Sequence, residues 1–269
     1  MASIASRLRA SDEPRRLDRH SILGVLVREM INFTAYWKST TFSSSVEPTI
    51  YLLAFGFGLG ALVDQIDGHT YVEFVGTGTI ATAVMMSSVF SAMFGAFFKA
   101  EHQHTYDALL AAPVDTEEIV TAEALWIGLR ASVYGCIPMF VAMIFGLDPA
   151  WGMFAVPVIA FFTGFGWACF GLIFAAILNS VDHFSYVTST IVTPLFLCAG
   201  TFFPISTLPS AIEFAANFNP VYHCVELVRG FIFNTQSFGD VAFHVSVIWA
   251  FSFICWRIAI RCQTKNLIH

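Results

Sequence analysis

The segment WGMFAVPVIAFFTGFGWACFGLIFAAIL, residues 151–178, decides the fold class of this chain, because it contains no charged side chain. An α-helix needs about 20 mostly apolar residues to cross the hydrocarbon core of a bilayer, and this segment exceeds that length. The whole chain agrees: 57% of its 269 residues are hydrophobic and only 12% are charged, whereas a soluble domain has about 25% charged residues. The sequence therefore predicts an all-α polytopic membrane protein.

Five further apolar stretches bring the predicted number of transmembrane helices to six. In chain order the predicted spans are Val46–Val63, Phe74–Phe98, Ile119–Phe145, Trp151–Leu178, Phe184–Phe203 and Val241–Ile260. Lysine and arginine accumulate before the first span and after the sixth, whereas the connections at 64–73 and 146–150 contain neither. Loops rich in these residues stay on the cytoplasmic side. We therefore expect a multi-pass protein of the bacterial inner membrane with both termini, and the connection at 99–118, in the cytoplasm.

Residues 1–45 are predicted to form a cytoplasmic tail and an amphipathic helix, ahead of a membrane domain over 46–269. At about 100° per residue, one face of that helix is apolar: Leu23, Leu26, Val27, Met30, Phe33 and Trp37. The opposite face is polar: Arg28, Glu29 and Asn32. Such a helix lies in the membrane interface with its apolar face in lipid. The alternative is a cytosolic helix packed on the protein's own loops.

The long connection at 204–240, between the fifth and sixth spans, is apolar but interrupted by prolines. No uninterrupted piece of it is long enough to cross a bilayer, so we predict a re-entrant segment on the outer side. Its second short helix is predicted to begin at Asn219 and Pro220, because proline is tolerated in the first turn. The residues assigned to this outer segment are Pro204, Pro209, Asn219, Pro220 and Arg229.

Three charged residues, Glu47, Glu123 and Arg130, are the candidate pathway or inter-helix residues. Arg130 lies about 16 Å along the third predicted span, where an arginine costs at least about 2.5–3.5 kcal/mol unless it is paired or hydrated. Its role is either that of a pathway or inter-helix contact or that of a structural ion pair. Glu123 lies on the same helical face but about 10 Å away. Glu47 is either a partner for Arg130 or an acid at a helix start.

The sequence contains no recognisable enzymatic or metal-binding pattern. H-E-x-x-H, G-x-S-x-G and C-x-x-C do not occur, and His183, His223 and His244 are interpreted as solitary packing residues. None of the lysines follows a glycine, so the chain contains no P-loop for ATP. We therefore expect no catalytic residue, metal or cofactor in this chain. An ATP-driven motor would have to be a separate subunit.

The cytoplasmic connection KAEHQHTYDALLAAPVDTEE, residues 99–118, gathers charged side chains, histidines and a proline. Either His102 and His104 bind a metal, or the segment docks a partner. A helix would point these histidines about 200° apart, which argues against a shared ion. Asp115 and Glu118 have the spacing of a capping box at the start of the third span.

This connection resembles the corresponding segment of type-2 ABC exporter permeases, and the likeness covers nearly the whole chain. The matching residues are Glu101, Thr105, Asp107, Leu109, Leu110 and Pro113. Two further segments, TPLFLCAGTFFPISTLP (193–209) and NPVYHCVELVRG (219–230), resemble that family's fifth span, its outer segment and the approach to its sixth span. PTIYLLAFGFGLGALV and DGHTYVEFVGTGTIATAVM look most like the nodulation-protein-J subgroup, which exports lipo-oligosaccharides.

The resemblance implies the membrane permease subunit of an ATP-driven exporter, which is not itself an enzyme. Two copies of this chain, as a homodimer, would assemble in the lipid bilayer with two ATPase subunits that bind ATP and Mg. Nucleic acid is not an expected partner. The cargo would be amphipathic: a lipo-oligosaccharide, a glycolipid or a hydrophobic drug. The alternative is an ion-coupled secondary transporter or channel that needs no ATPase.

The same resemblance makes residues 99–118 the coupling helix that contacts the ATPase. Tyr106, Leu109 and Leu110 would supply an apolar patch that enters a groove on the ATPase. Pro113 is predicted to end this helix, and the capping box would then begin the third span. Movement of the ATPase would in this way be transmitted to the third span.

Overall fold

Helices make up almost all the regular structure of this chain, of which the computed structural model describes residues 17–63, 65–66 and 68–268. The α-helices are α1 (Arg19–Gly58), α2 (Tyr71–Glu101), α3 (Thr105–Leu110), α4 (Thr116–Ile144), α5 (Val156–Ile177), α6 (Phe184–Val187), α7 (Thr193–Leu197), α8 (Ser210–Ala216), α9 (Pro220–Phe233) and α10 (Phe238–Ile268). Short 3₁₀ turns occur at Trp151–Ala155, Val181–His183 and Ile205–Thr207, and strands β1 (Gln65–Ile66) and β2 (His69–Thr70) pair antiparallel. The all-α prediction is confirmed. The first 16 residues of the predicted tail lie outside the described residues.

Within the described residues, four helical segments are long and apolar enough to cross a membrane. They are Tyr71–Glu101, Thr116–Ile144, Trp151–Ile177 and Phe238–Leu267. These segments correspond to the second, third, fourth and sixth predicted spans. The predicted spans Val46–Val63 and Phe184–Phe203 do not meet the same measure of length and composition, so the six-span count is not confirmed.

Local backbone features shorten the helices in the two predicted spans that are not confirmed. The helix that covers the start of the first, α1, ends at Gly58 rather than at Val63. In the fifth, a π-helical turn at Thr188–Val192 separates α6 from α7, and the helical run stops at Leu197. Gly200 follows with a φ of +75°, a left-handed conformation that glycine adopts without strain. A continuous apolar sequence is therefore not a continuous helix here.

α1 joins the predicted amphipathic helix to the start of the predicted first span in one helix of 40 residues. Of its polar face, Glu29 is turned inward and is only 3% exposed, whereas Asn32 is exposed. Much of its apolar face is turned outward, since Leu23 and Val27 are 56% and 49% exposed. This arrangement is the reverse of that in a soluble amphipathic helix, and it suits a helix whose apolar side lies in lipid.

α5 forms the centre of the helix bundle and packs on α2, α4 and α10. Two of its glycines allow this close packing. A Cβ atom added at Gly164 would lie 2.5 Å from Ala131 Cβ of α4, and one added at Gly171 would lie 2.7 Å from Ala92 Cβ of α2. Small residues of this kind let helix backbones approach each other within membranes. The resulting core positions the adjoining ends of α2 and α4, between which α3 lies.

Candidate functional site

α3 lies in a tight turn between the end of α2 and the start of α4. His104 immediately precedes α3 and has a left-handed backbone with a φ of 48°. His102 immediately follows α2, so the expected single helix through both histidines is wrong. His104 Nδ1 instead lies 3.2 Å from Asp107 Oδ2 at the surface. In the part of the chain that the structure describes, no cluster of three or more His, Cys, Asp or Glu residues is placed to hold a metal.

A buried ion cluster lies beside α3. Lys99, in the last turn of α2, donates to Glu29 Oε2 and to Glu123 Oε1, each at a distance of 2.8 Å. Arg28 Nη1 donates to Glu29 Oε1 at 2.9 Å. Both carboxylate residues are 3% exposed. The two cations thus compensate the two anions, and such compensation is needed because an unpaired buried charge is strongly destabilising.

α3 is bound to this ion cluster through its first two residues. Tyr106 is 2% exposed, and its hydroxyl donates to Glu123 Oε2 at 2.7 Å. Thr105 Oγ1 accepts from Arg28 Nη2 at 3.4 Å. Burial, reinforced by the charge of Glu123, raises the pKa of Tyr106 well above its ordinary value, so the phenol remains a neutral donor at neutral pH. We call the following six residues the charge network: Arg28, Glu29, Lys99, Thr105, Tyr106 and Glu123.

The charge network joins four helices, because its members lie on α1, α2, α3 and α4. A hydrogen bond to a charged group contributes about 1.5–3 kcal/mol, and the loss of a buried charged partner costs more. A displacement of α3 therefore has to move the other three helices with it or break these bonds. α3 is therefore anchored to one end of the helix bundle by its own first two residues.

The outward side of α3 differs from the expected apolar patch. The prediction that Tyr106 belongs to that patch is wrong, because its ring and hydroxyl are directed into the protein. Leu109 and Leu110 are half-buried and pack against the chain's own core. The residues that α3 and its following turn expose are Asp107, Ala108, Ala111, Ala112 and Pro113. Glu101, which ends α2, is also exposed.

The predicted capping box at the start of α4 is confirmed. Glu118 Oε2 accepts from the backbone N–H of Asp115 at 3.0 Å. Glu118 Oε1 also accepts from the backbone N–H of Asp18 at 2.7 Å, which ties the start of α1 to the start of α4. α3 itself ends at Leu110, and Pro113 lies in the turn that follows. This is a usual place for proline, which cannot continue a helix.

The structure does not bring the three candidate pathway residues together. Glu123 is a member of the charge network, whereas Arg130 lies deeper, with its guanidinium carbon 5.3 Å from the Phe33 ring and 5.9 Å from the Tyr134 ring. Glu47 is exposed in the interior of α1, so its interpretation as an acid at a helix start is wrong. It lines an open groove of about 510 Å³ with the following residues: Phe42, Ser43, Val46, Ile50 and Tyr51.

The predicted outer segment is held to the bundle by two of its polar residues. Asn219 Oδ1 caps α9 by accepting from the backbone of Val221, and its Nδ2 donates to Leu195 O at 2.7 Å. The prediction that Asn219 and Pro220 begin a helix is confirmed. Arg229 Nη2 donates to Gly200 O at 2.7 Å and to the first turn of α2 at 3.1 Å. Pro204 and Pro209 flank the short turn between these elements.

Two histidines that were interpreted as solitary are paired, so that interpretation is wrong. His223 Nδ1 lies 2.7 Å from His244 Nδ1, and His223 Nε2 lies 2.8 Å from Asn217 O. A carbonyl oxygen only accepts, so the hydrogen of neutral His223 is on Nε2 and its Nδ1 accepts from His244. The pair fastens α9 to α10 near the predicted outer end of the bundle.

Comparisons with known proteins relate this chain to membrane transport. A family model described as ABC-2 type transporter matches residues 20–233. The chain is 30% identical to Nodulation protein J of Sinorhizobium fredii over 86% of its own length and 90% of that protein. It is likewise 30% identical to Nodulation protein J of Rhizobium leguminosarum bv. viciae, over 86% and 91%. It is 24% identical to the inner membrane transport permease YadH of Escherichia coli, over 90% and 95%.

Proposed function

This chain belongs to the ABC-2 type transporter family, so it is the membrane permease subunit of an ABC exporter, and we propose that its charge network couples an ATPase subunit to the transport pathway. It is a multi-pass inner-membrane protein with a transport function rather than an enzymatic one. One observation carries the proposal: α3 is bonded through Thr105 and Tyr106 to charged residues of α1 and α4.

The proposed coupling starts at the exposed side of α3. The ATPase, which holds ATP and Mg, contacts Ala108 and the turn that follows α3. Its closure displaces α3, and Tyr106 transmits that displacement to Glu123 of α4. Lys99 and Glu29 pass it on to α2 and α1. Three helices of the bundle thereby move together in response to one contact on the cytoplasmic side.

The proposed topology has six spans, both termini in the cytoplasm and a re-entrant outer segment. Exposed aromatic residues support the placement of these helix ends at a membrane surface. Trp151 at the start of the fourth proposed span and Phe238 just before the sixth are 90% and 89% exposed. Phe214 and Phe218 of the outer segment are 68% and 72% exposed. Aromatic residues are typical of the membrane–water interface.

The proposed pathway lies between two copies of the chain. Ser43 and Glu47 are one helical turn apart on the exposed side of α1, within or beside the proposed first span. Tyr186, Ser189 and Thr190 are exposed on the proposed fifth span. A carboxylate and several hydroxyls directed at lipid tails would be unfavourable. In a homodimer these groups would face a cavity instead, and the groove beside Glu47 combines polar and apolar side chains.

The proposed cargo is an amphipathic glycolipid of the lipo-oligosaccharide class. The likeness to proteins named Nodulation protein J supports this class. The groove supports it as well, because Glu47 and Ser43 suit sugar hydroxyls while Phe42 and Ile50 suit an acyl chain. A hydrophobic drug would use only the apolar part of this lining.

Replacing Glu47 with leucine is expected to reduce cargo uptake about tenfold, which corresponds to about 1.4 kcal/mol in binding. The reason is that leucine cannot accept hydrogen bonds from the sugar hydroxyls of the cargo. The measurement is ATP-dependent uptake of labelled lipo-oligosaccharide by inside-out proteoliposomes that contain the permease and its ATPase. The acyl-free glycan should not compete for uptake, because it lacks the apolar half of the cargo.

Glu213→Leu is the matched control for this prediction, because Glu213 is an exposed glutamate of α8, away from the groove. It should leave uptake unchanged. Uptake by Glu47→Leu at the wild-type rate would show that Glu47 does not contact the cargo. If the acyl-free glycan competes as well as the intact lipo-oligosaccharide does, the acyl chain is not recognised and the proposed amphipathic cargo is wrong.

A further inference from the structure

Arg130 lies within the membrane-spanning part of α4, deeper than the charge network. Glu123 marks the level of the network, and Arg130 follows seven residues later, which is about 10 Å along the helix. Helical side chains lean toward the helix N-terminus. The N-terminus of α4 is at the side of α3, so the guanidinium of Arg130 leans toward the cytoplasmic headgroup level.

Arg130 differs in its surroundings from two partly buried cations, Lys99 and Arg229. Lys99 touches two carboxylates, and Arg229 donates to backbone carbonyls. Arg130 is 9% exposed, and within the described residues its Nε has no hydrogen-bond partner. Glu29 attracts the guanidinium from a distance, but it forms its ion pairs with Arg28 and Lys99. The aromatic rings of Phe33 and Tyr134 attract it, but they offer no formal negative charge.

Exposed side chains flank the seam between α1 and α4 at the level of Arg130. Tyr36 and Trp37 of α1 are 42% and 48% exposed, and Leu129 and Val133 of α4 are 45% and 59% exposed. Phe33 packs across the seam on Trp126, with ring centroids 5.5 Å apart. A lipid tail can therefore lie along apolar side chains while its headgroup reaches the buried guanidinium.

We propose that Arg130 binds the phosphate group of an anionic phospholipid from the cytoplasmic leaflet. An arginine guanidinium matches phosphate oxygens with paired N–H groups, and such charge-assisted bonds strengthen where water is excluded. The lipid phosphate supplies the direct ion pair that Arg130 does not form with Glu29, and its chains lie along the contact between α1 and α4. The site rests on the membrane placement of α4 and is independent of the proposed cargo.

The test counts phosphatidylglycerol molecules retained by the full-length permease, purified in phosphatidylcholine-containing micelles, by native mass spectrometry during a phosphatidylglycerol titration. The wild type should retain one phosphatidylglycerol in preference to phosphatidylcholine. Arg130→Gln should weaken that binding about tenfold or more, as expected for a lost charge-assisted bond. Arg130→Lys keeps the positive charge but lacks the planar guanidinium with its paired N–H groups. It should therefore bind phosphatidylglycerol more weakly than the wild type and more tightly than Arg130→Gln.

Arg257→Gln is the control, because Arg257 is an exposed arginine of α10 and should not affect the retained lipid. Inorganic phosphate should not displace the lipid, since it lacks the acyl chains that the seam accommodates. Equal retention by the wild type and Arg130→Gln would overturn the proposal. Displacement by inorganic phosphate, or by the lipo-oligosaccharide in place of phosphatidylglycerol, would also overturn it. If Arg130→Gln cannot be purified, undiminished binding by Arg130→Lys overturns it equally.

Discussion

Replacing Lys99 with methionine is expected to destabilise the permease by about 3–5 kcal/mol, the range for breaking a buried ion pair from one side. Methionine fits the space of the lysine stem but leaves Glu29 and Glu123, each 3% exposed, without the cation they share at 2.8 Å. The measurement is thermal unfolding of the purified permease, together with ATP-dependent export by its complex with the ATPase. Export should fall to background, because α2 would no longer be bonded to α1 and α4 at this level.

Lys265→Met is the matched control for this change, because Lys265 is exposed near the end of α10 and should tolerate it within about 0.5 kcal/mol. A triple variant that combines Lys99→Met with Glu29→Gln and Glu123→Gln removes the uncompensated charges. It should regain most of the stability without regaining export. If Lys99→Met alone unfolds at the same temperature as the wild type, the ion cluster does not stabilise the permease as proposed.

Replacing Ala108 and Ala112 with arginine is expected to abolish capture of the ATPase by the permease, with at least a tenfold loss of affinity, or about 1.4 kcal/mol. Both alanines are exposed on α3 and its following turn, so two long charged side chains would block a close contact there. Exposed substitutions of this kind typically change stability by no more than about 0.5 kcal/mol. The measurement is the amount of ATPase that co-purifies with the tagged permease.

Ala108 and Ala112 are better positions for this test than Leu109 and Leu110, which are half-buried against the permease core. Aspartate at the leucines would disturb the permease itself as well as any contact with the ATPase. Leu17→Arg, at an exposed position before α1, should leave the ATPase bound. Undiminished co-purification of the double arginine variant would show that the ATPase docks elsewhere.

The elements that sequence could predict are those set by neighbouring residues. The four long spans follow from uninterrupted apolar runs, and the capping box of Asp115 and Glu118 depends on residues three positions apart. The Asn219 cap is equally local. Such features need no knowledge of the tertiary fold, so pattern and spacing were sufficient.

The contacts that sequence could not predict join distant positions. Lys99 is 70 residues from Glu29 and 24 from Glu123, and His223 is 21 from His244. No local pattern around Lys99 therefore predicts that it pairs with either carboxylate. Tyr106 was assigned to an exposed patch because its spacing relative to Leu109 and Leu110 does not reveal that Glu123 lies beneath it. The broken fifth span was missed for a related reason, since a π turn within an apolar run leaves no mark in composition.

The most direct test of the central claim is the amount of cargo exported per ATP hydrolysed by the reconstituted complex of Tyr106→Phe. This change removes one oxygen and the 2.7 Å bond from α3 to Glu123, while the exposed side of α3 is unaltered. We expect the ATPase to stay bound and to hydrolyse ATP, whereas export per ATP falls about tenfold, in line with the loss of a hydrogen bond to a charged acceptor. Tyr186→Phe, at an exposed tyrosine of α6 that is 71% exposed, should not lower ATPase binding or ATP hydrolysis. An unchanged ratio of export to hydrolysis in Tyr106→Phe would contradict the claim that the charge network couples the motor to the pathway.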